Sequence, residues 1–520
     1  MKKRFNTTGT CHADEHYMMD DSRRFNGIME MVEHGDYFVI SRPRQYGKTT
    51  MLFALLRHFY PQKDYFPLKL NFQGVDSQWL LSDAAFSEMF LMHVKRDLKR
   101  RYPDKAYLAE NVEIHSTEDL SDWISDFVTE IGKKVILLVD EVDASSNYEC
   151  FLRFLGMLRD KYLARRDGEN TFHSIVLAGV HDIKSLKFRL RNPDDAQTNS
   201  PWNIAADFKV VMEFYPEEIA YMLRQYSEAE GVDIDTEEFS EKLYYYTSGY
   251  PFLVSKLCKT IAEDILPRKE DRSRWTLADL EDSVQLLLRE SNTNFDSLIK
   301  NLENNGDLYQ LVEAILLEGY RMPYDPHVSS IRMGGMYGIF KGNGTIKIHN
   351  RIYEQVIYNY LATNRLQQLI SRKEYPFRDS YLAPDGSLDL KAVLLKFQSF
   401  MKEQYSQKNR SLIEREWRLV FLAFLKPILN GQGHDFKEVE TSEEKRLDIV
   451  VTYLQWKYII ELKIWRGEKA HQKGLDQLAD YLDIHGVERG YLLTFDDREK
   501  PSWREEEILH GGKKVFAVWV

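Results

Sequence analysis

The 520-residue sequence has little cysteine and no long apolar run. Its three cysteines, Cys11, Cys150 and Cys258, lie far apart, which excludes both a disulfide framework and a paired-cysteine zinc site. No apolar stretch reaches the roughly 18 to 20 residues of a membrane-spanning helix, and residues 1–10 lack the apolar core of a signal peptide. We therefore expect a cytoplasmic protein without a membrane partner.

Positive charge is not in excess either, because 70 Lys and Arg residues face 81 Asp and Glu residues, for a formal net charge of −11. A protein that coats nucleic acid with its whole surface is therefore excluded, and any contact with DNA or RNA must be local. With 43% hydrophobic residues the chain can build real cores, and its length predicts two to four domains.

The first half of the sequence alternates short apolar runs with helical periodicity. This alternation predicts a parallel sheet covered by helices on both faces. We expect a helix from residue 48 to about residue 60, directly after the first strand. The predicted strands lie at 37–41, 68–72, 135–139, 174–178 and 208–214. From residue 216 the periodicity is helical, and Asn343-Gly344 predicts a type I′ turn in a later hairpin.

The segment after the first predicted strand reads Ser-Arg-Pro-Arg-Gln-Tyr-Gly-Lys-Thr-Thr over residues 41–50. Gly47, Lys48 and Thr49 match the end of the phosphate-loop motif, whereas Arg42 replaces its first glycine. In such a loop the backbone amides and the lysine hold phosphates, and the threonine binds Mg²⁺. An ordinary strand-turn-helix with a chance Gly-Lys-Thr is the alternative. The residues predicted to contact nucleotide here are Arg44, Gln45, Tyr46, Gly47, Lys48, Thr49 and Thr50.

The apolar run at 135–139 ends in Asp140 and Glu141, as a Walker B strand does. We expect Asp140 to bind Mg²⁺ through water and Glu141 to polarise the attacking water. The following strand leads to His181, which is either a γ-phosphate sensor or a plain loop histidine. The predicted cofactors are therefore ATP and Mg²⁺.

Residues 1 to about 360 resemble the AAA-like, archaeal-type ATPases of the STAND nucleotide-switch superfamily. The resemblance rests on these two motifs and on the segments 5–9 and 16–18 ahead of the loop. That family also uses variant loops of the Arg-Pro-Arg-x-x-Gly-Lys-Thr kind. The resemblance implies that Gly249 and Pro251, in a Gly-x-Pro element of the helical lid, lie against adenine. Taken from the residues alone, they are equally a break between helices.

Two β-rich runs at 446–453 and 457–465 predict an antiparallel hairpin near the C-terminal end of the sequence. Glu461 and Lys463 share one face of the second strand and face Asp448 on the first. Two acids can hold Mg²⁺ or Mn²⁺, and a lysine beside them can orient water and stabilise negative charge. A surface ion-pair ladder is the alternative interpretation.

This pattern resembles the PD-(D/E)xK nucleases over residues 407–520, although Leu447 replaces the proline of their motif. The resemblance implies that Glu416 on an upstream helix is an additional metal-binding acid. It also implies that Gln477 and Tyr481, four residues apart on a later helix, complete the site as a Gln-x-x-x-Tyr motif. Nucleic acid is the implied partner of this region.

The predicted fold class is α/β, with a P-loop parallel-sheet core followed by a separate restriction-endonuclease-like domain. The predicted domains are an ATPase core at 1–215, a helical lid at 216–302, a winged helix at 303–364, a linker and helix at 365–406 and a nuclease-like domain at 407–520.

The expected function is that of an ATP-binding and ATP-hydrolysing switch that controls a metal-dependent nuclease. By analogy only, this combination belongs to bacterial defence or mobile-element biology. The ATPase part is expected to switch or to form a homo-oligomer. The alternative is a switch or scaffold whose nuclease fold only binds nucleic acid or protein.

Overall fold

The structure is a computed structural model that divides the chain into two compact units. The first comprises Met1–Asn301 and Tyr324–Ile352, and the second comprises Leu302–Pro323 and Tyr353–Val520. Residues of the predicted winged helix therefore belong to both units. The structure describes residues 2–146, 148–180, 202, 204–317, 320, 322–369, 381, 383, 385, 387–404, 420–422, 424–425, 429, 433–438, 448–453, 456–484, 486–496, 498 and 501–520.

Strands and helices alternate up to residue 179, as predicted, and helices follow from residue 216. The strands are β1 (Tyr37–Ser41), β2 (Tyr65–Asn71), β3 (Lys134–Asp140) and β4 (Ser174–Gly179). The helices are α1 (Ser22–Glu33), α2 (Lys48–Phe59), α3 (Asp83–Arg101), α4 (Thr117–Ile131), α5 (Glu149–Ala164), α6 (Pro216–Glu230), α7 (Thr236–Thr247), α8 (Pro251–Thr260), α9 (Leu277–Arg289) and α10 (Thr293–Glu303).

The four strands form one parallel sheet in the order β1-β4-β3-β2. Residues 135–139 of β3 are fully buried, as expected of a central strand covered on both faces. Because the strands are parallel, the carboxyl ends of β1, β3 and β4 meet at one edge. The phosphate-loop residues and the Walker B acids are therefore brought to the same edge of the sheet.

The prediction of a strand at 208–214 is wrong. These residues, all of which the structure describes, form no ladder, and Ala206 alone makes a single parallel bridge with Phe38. The Arg42 guanidinium donates a hydrogen bond of 2.8 Å to the carbonyl oxygen of Val210. Phe208 stacks on Phe38 with ring centroids 6.0 Å apart. This segment thus lies beside β1 but is held there by side chains.

The chain continues with α11 (Gly306–Leu317), α12 (Ser329–Met336), the strands β5 (Phe340–Asn343) and β6 (Thr345–Ile348), and α13 (Arg351–Leu369). The two strands form the predicted hairpin, but Asn343 pairs with Thr345 within the ladder instead of sharing the turn. Gly344 alone separates the strands, with a φ of 85° that favours glycine.

The remaining elements belong to the second unit: α14 (Leu390–Gln404), β7 (Gly433–Glu438), β8 (Asp448–Tyr453), β9 (Trp456–Ile464), α15 (Glu468–Ile484), β10 (Arg489–Phe495), β11 (Glu505–His510) and β12 (Lys513–Trp519). Their strands form a six-stranded mixed sheet in the order β11-β12-β10-β9-β8-β7. Only the pairs β9/β10 and β10/β12 are parallel. Helix α15 packs on one face through Leu475, Leu478 and Leu482, and Gln398 of α14 donates to the carbonyl oxygen of Trp519 at 2.8 Å.

None of the helices in the described part of the chain is both long and apolar enough to cross a membrane.

Candidate nucleotide site

The loop between β1 and α2 has the backbone form that a phosphate site needs. Gly47 has a φ of 77° and Gln45 a φ of 59°, so the chain coils back just before Lys48 begins the helix. A Cβ on Gly47 would meet no described atom within 4 Å, so the approach to the first turn of α2 is open. Free amide groups and the helix dipole at such a helix start favour an anion.

Lys48 lies beneath this loop and is buried. Its Nζ donates hydrogen bonds of 2.9 Å to the carbonyl oxygens of both Arg42 and Pro43. Burial lowers the pKa of this ammonium, whereas the carboxylates of Asp143, Glu141 and Asp140 favour its charged form. The cation is thus held by the loop itself at the place where phosphate charge would be neutralised.

Asp140 and Glu141 lie at the carboxyl end of β3, as predicted. Asp140 is 1% exposed, and its Oδ2 lies 3.5 Å from the Nζ of Lys69 on the neighbouring strand. Glu141 adopts a left-handed φ of 55° and donates its amide to Oδ1 of Asp140 at 3.2 Å. Burial raises the pKa of Glu141, although the charge of Lys48 opposes that rise. A carboxyl group with a raised pKa beside a lysine is suited to accept a proton.

Asp143 is a site residue that the sequence reasoning missed. Its carboxylate accepts the amide of Val180 at 2.9 and 2.7 Å, one distance to each oxygen. A Cβ on Gly179 would come within 2.9 Å of this carboxylate, so glycine allows the end of β4 to approach. The predicted sensor His181 follows directly but lies outside the described residues, so its role stays a prediction.

The predicted threonines follow Lys48 on the first turn of α2, and both are half-buried. The Oγ1 of Thr50 accepts the amide of Cys11 at 3.2 Å, which ties the N-terminal segment to this helix. Gln45 is exposed, and its Oε1 accepts the Asn294 amide at 2.9 Å. The binding of a metal ion by Thr49 and Asp140 stays a prediction.

The Gly249-Tyr250-Pro251 element lies beside the loop, and its central residue makes the contacts. The Tyr250 hydroxyl donates to the carbonyl oxygen of Arg44 at 2.7 Å, and its ring lies edge-on to Tyr46 at 4.4 Å. Gly249 has a φ of 72°, and a Cβ there would lie 2.1 Å from the carbonyl oxygen of Phe214. Pro251 begins α8. Close packing therefore requires glycine at position 249. Contact of this element with adenine stays a prediction.

The sequence reasoning also missed a polar cluster of buried Tyr46 and His349 with half-buried Glu213. The Tyr46 hydroxyl lies 2.9 Å from His349 Nε2 and 3.4 Å from Glu213 Oε1. Burial opposes ionisation of Glu213, but its hydrogen bond with His349 and the charges of His349 and Arg42 bring its pKa down to about 2. A loop tyrosine and a histidine 303 positions away carry no pattern that joins them in the sequence.

We expect Glu213→Gln to destabilise the protein in a pH-dependent way. The folded-state pKa of about 2 lies below the ordinary 4.5, so ionised Glu213 stabilises the fold above pH 4.5. This contribution, at most about 3 kcal/mol, is lost as the pH falls from 4.5 towards 2. Denaturant unfolding should give a lower free energy of unfolding for the variant than for the wild type at pH 7, and this difference should become smaller below pH 4.5. The exposed Glu228→Gln is the matched control, and a deficit independent of pH would contradict the ionic role.

In the second unit, the structure brings the predicted residues Glu461, Lys463 and Gln477 into contact and sets Asp448 in register with them. Strands β8 and β9 pair antiparallel, as predicted, with Asp448 directly opposite Glu461. Lys463 contacts the buried carboxylate of Glu461 and donates to Gln477 Oε1 at 2.6 Å.

The remaining C-terminal predictions differ in outcome. Tyr481 is buried in the apolar core under α15. Glu416 lies outside the described residues, and of Asp448 only the backbone position in β8 is described. Within the part of the chain that the structure describes, no three His, Cys, Asp or Glu side chains are grouped to hold a metal ion.

The parallel sheet, the loop before α2 and the acids after β3 define a nucleotide-binding domain of the P-loop class. A sequence model described as the AAA-like domain matches residues 9–272, just over half of the chain. The chain belongs to this AAA-like family. It is also 24% identical over 285 residues to an uncharacterized WD repeat-containing protein of Synechocystis, an alignment that spans 51% of this chain but only 22% of that relative.

Three solved structures are similar to the chain. A Walker-type ATPase of Pyrococcus abyssi is 12% identical and matches 68% of this chain and 99% of its own, with a TM-score of 0.45. The ORC1 protein of Aeropyrum pernix, in complex with DNA, is 12% identical over 67% of this chain and 94% of its own, with a TM-score of 0.32. The RuvB Holliday junction branch migration motor of Thermotoga maritima is 12% identical over 68% and 99%, with a TM-score of 0.33.

Proposed function

We propose that the first unit binds and hydrolyses ATP with Mg²⁺, and that its nucleotide state controls a metal-dependent nuclease in the C-terminal region. The ATPase part of the proposal rests on one observation: buried Lys48 lies near Asp140 and Glu141 at one edge of the sheet. The membership in the AAA-like family supports it. The resemblance to STAND switches supports nucleotide state as the signal.

Each residue of this site has a separate task. Lys48 and the first amides of α2 would hold the phosphates, and Thr49 and Asp140 would hold the metal ion. Bound Mg²⁺ would neutralise charge on the phosphate oxygens. Glu141 would accept the proton of the attacking water, since its carboxyl group is half-buried and lies near Lys48.

We expect Lys48→Ala to remove most of the stabilisation of the protein by ATP. A ligand at a hundred times its dissociation constant stabilises the folded state by about 2.7 kcal/mol, and the variant lacks the cation under the loop. Thermal unfolding with and without ATP and Mg²⁺ measures this difference. Arg57→Ala removes an exposed cation from the same helix and should keep the full stabilisation. An equal ATP effect in Lys48→Ala would overturn the site.

The nuclease part of the proposal rests on the register of β8 and β9, which sets Asp448 opposite Glu461. Lys463, two residues further along β9, contacts Glu461 and Gln477. Asp448 and Glu461, with Glu416, would hold the metal ion, and Lys463 would stabilise charge on the phosphate. Such a site cleaves phosphodiester bonds, and nucleic acid is the substrate class.

A second candidate function has a specific observation in its favour. The ion pair between Lys463 and Glu461 already neutralises both groups. A C-terminal domain that only binds nucleic acid or protein would need no metal site beside this ion pair. The two functions are separated by incubating the full chain with plasmid, single-stranded DNA or RNA, with Mg²⁺ or Mn²⁺, and with or without ATP. Cleavage supports the nuclease, whereas binding without cleavage supports the second candidate.

A further inference from the structure

The first unit contains a cavity of about 550 Å³ beside the phosphate loop. One wall is formed by Arg42, Pro43 and Tyr46 of the loop, and others by residues 206–209, by Glu213 and by residues of α12 and β5. Its size lies within the range of cavities that hold nucleotide-sized ligands.

This cavity differs from the proposed ATP site. Lys48, Thr49, Asp140 and Glu141 do not line it. Of the described residues predicted to contact nucleotide, Tyr46 alone does, and the loop that carries it lies between the two places. The hairpin approaches the loop closely, because a Cβ on Gly338 would stand 2.7 Å from Pro43 Cγ. A second ligand could therefore lie on the opposite side of the loop from ATP.

The charge of the cavity wall is predominantly positive. Four cationic side chains line it, namely Arg42, Lys209, Arg332 and Lys341, against the two carboxylates of Asp207 and Glu213. Arg42 compensates Glu213, and His349 Nε2 lies 3.6 Å from the same carboxylate. Among the described residues, the surplus of positive charge therefore comes from Lys209, Arg332 and Lys341 against Asp207. The wall therefore favours a ligand with more than one negative group.

The polar groups of the cavity wall differ in what they can offer a ligand. Tyr46 is 2% exposed and His349 is 5% exposed, and both line the cavity. The hydroxyl and the imidazole already bond to each other and to Glu213, and Arg42 donates to the carbonyl oxygens of Ser41 and Val210. Lys209, Arg332 and Lys341 carry the types of donor that suit phosphate oxygens, and a planar guanidinium fork binds such oxygens through paired hydrogen bonds. Carboxylate ligands can use the same donors, but they carry less charge per group.

We propose that this cavity is a second binding site, which takes a small polyanion with two or more phosphate groups. The proposal does not depend on ATP hydrolysis or on the nuclease, because it needs only the cavity and its cationic wall. Arg332 of α12 and Lys341 of β5 supply cations from outside the phosphate loop. They can therefore be changed without altering the proposed ATP site.

The test uses inorganic tripolyphosphate and the full chain carrying Lys48→Ala, so that binding at the ATP site is largely removed. Titration calorimetry should still detect tripolyphosphate binding to this variant. Adding Arg332→Gln with Lys341→Gln should weaken the binding at least about tenfold, which corresponds to the loss of about 1.4 kcal/mol. The charge-preserving pair Arg332→Lys with Lys341→Arg should retain most of the affinity.

The control pair Lys133→Gln with Arg166→Gln removes two exposed cations that do not line the cavity, and it should leave the affinity unchanged. Circular dichroism establishes that each variant is folded before titration. Absence of binding to the Lys48→Ala protein would overturn the proposal. Equal affinity in the glutamine pair and the control pair would overturn it as well, and so would equally tight binding of citrate, since the site would then not select phosphate.

Discussion

Glu141→Gln is expected to bind ATP as the wild-type protein does and to hydrolyse it at least about a hundredfold more slowly, as for loss of a general base. The amide has the size of the carboxyl group, so the left-handed residue after β3 can keep its backbone geometry. It cannot accept a proton, however. Steady-state phosphate release and ATP-induced thermal stabilisation together separate these two effects.

The matched control for this experiment is Glu130→Gln, which changes an exposed carboxyl group at the end of α4. Its turnover should equal that of the wild type. The raised pKa of Glu141 adds a second readout, because the base must be ionised to act. Wild-type turnover should therefore fall on acidification at a pH above 4.5. Loss of ATP binding in Glu141→Gln would show that the residue is structural.

Lys463→Ala should reduce cleavage of nucleic acid by roughly a hundredfold or more, since it removes the cation proposed to stabilise negative charge in the reaction. Asp448→Ala should have an effect of similar size through the loss of a metal ligand. ATP hydrolysis should persist in both variants, because the P-loop residues belong to the other compact unit. A cleavage assay run beside an ATPase assay measures both activities on the same protein.

Lys457→Ala provides the control on the same strand, because Lys457 is exposed and lies six residues before Lys463. It should leave cleavage intact. An equal loss of cleavage in Lys457→Ala and Lys463→Ala would indicate that the substitutions disrupt β9 as a whole. Unchanged cleavage in Lys463→Ala and Asp448→Ala together would remove the proposed site from the reaction.

Much of the ATPase core could be predicted because local pattern determines it. The apolar run of β3 can be accommodated only as a buried strand, and Gly47 with Lys48 marks the start of α2. The strand predicted at 208–214 failed because alternating apolar residues also suit a segment held by side chains. Arg42 takes the Val210 carbonyl group that a strand would have used.

The rest of the site depends on pairings between distant positions. Lys69 reaches Asp140 only because β2 lies next to β3 in parallel register. His349 reaches Tyr46 from the far end of the hairpin. Neither Lys69 nor His349 belongs to a recognisable sequence motif. Composition and spacing therefore do not predict these contacts. The register of β8 with β9 could be predicted, because a short connection between two strands leaves few alternatives.

Segments of the two units alternate along the chain, and this order affects when the first unit can fold during synthesis on the ribosome. The first unit includes residues 324–352, so a nascent chain that has reached residue 301 still lacks the hairpin and the histidine that contacts Tyr46. At 5–20 residues per second, synthesis of the missing part takes roughly 3 to 10 seconds. During that interval the phosphate loop is exposed on its hairpin side. A gene fragment that stops at residue 301 would keep this exposed face permanently, so excision of a working ATPase requires a boundary beyond residue 352.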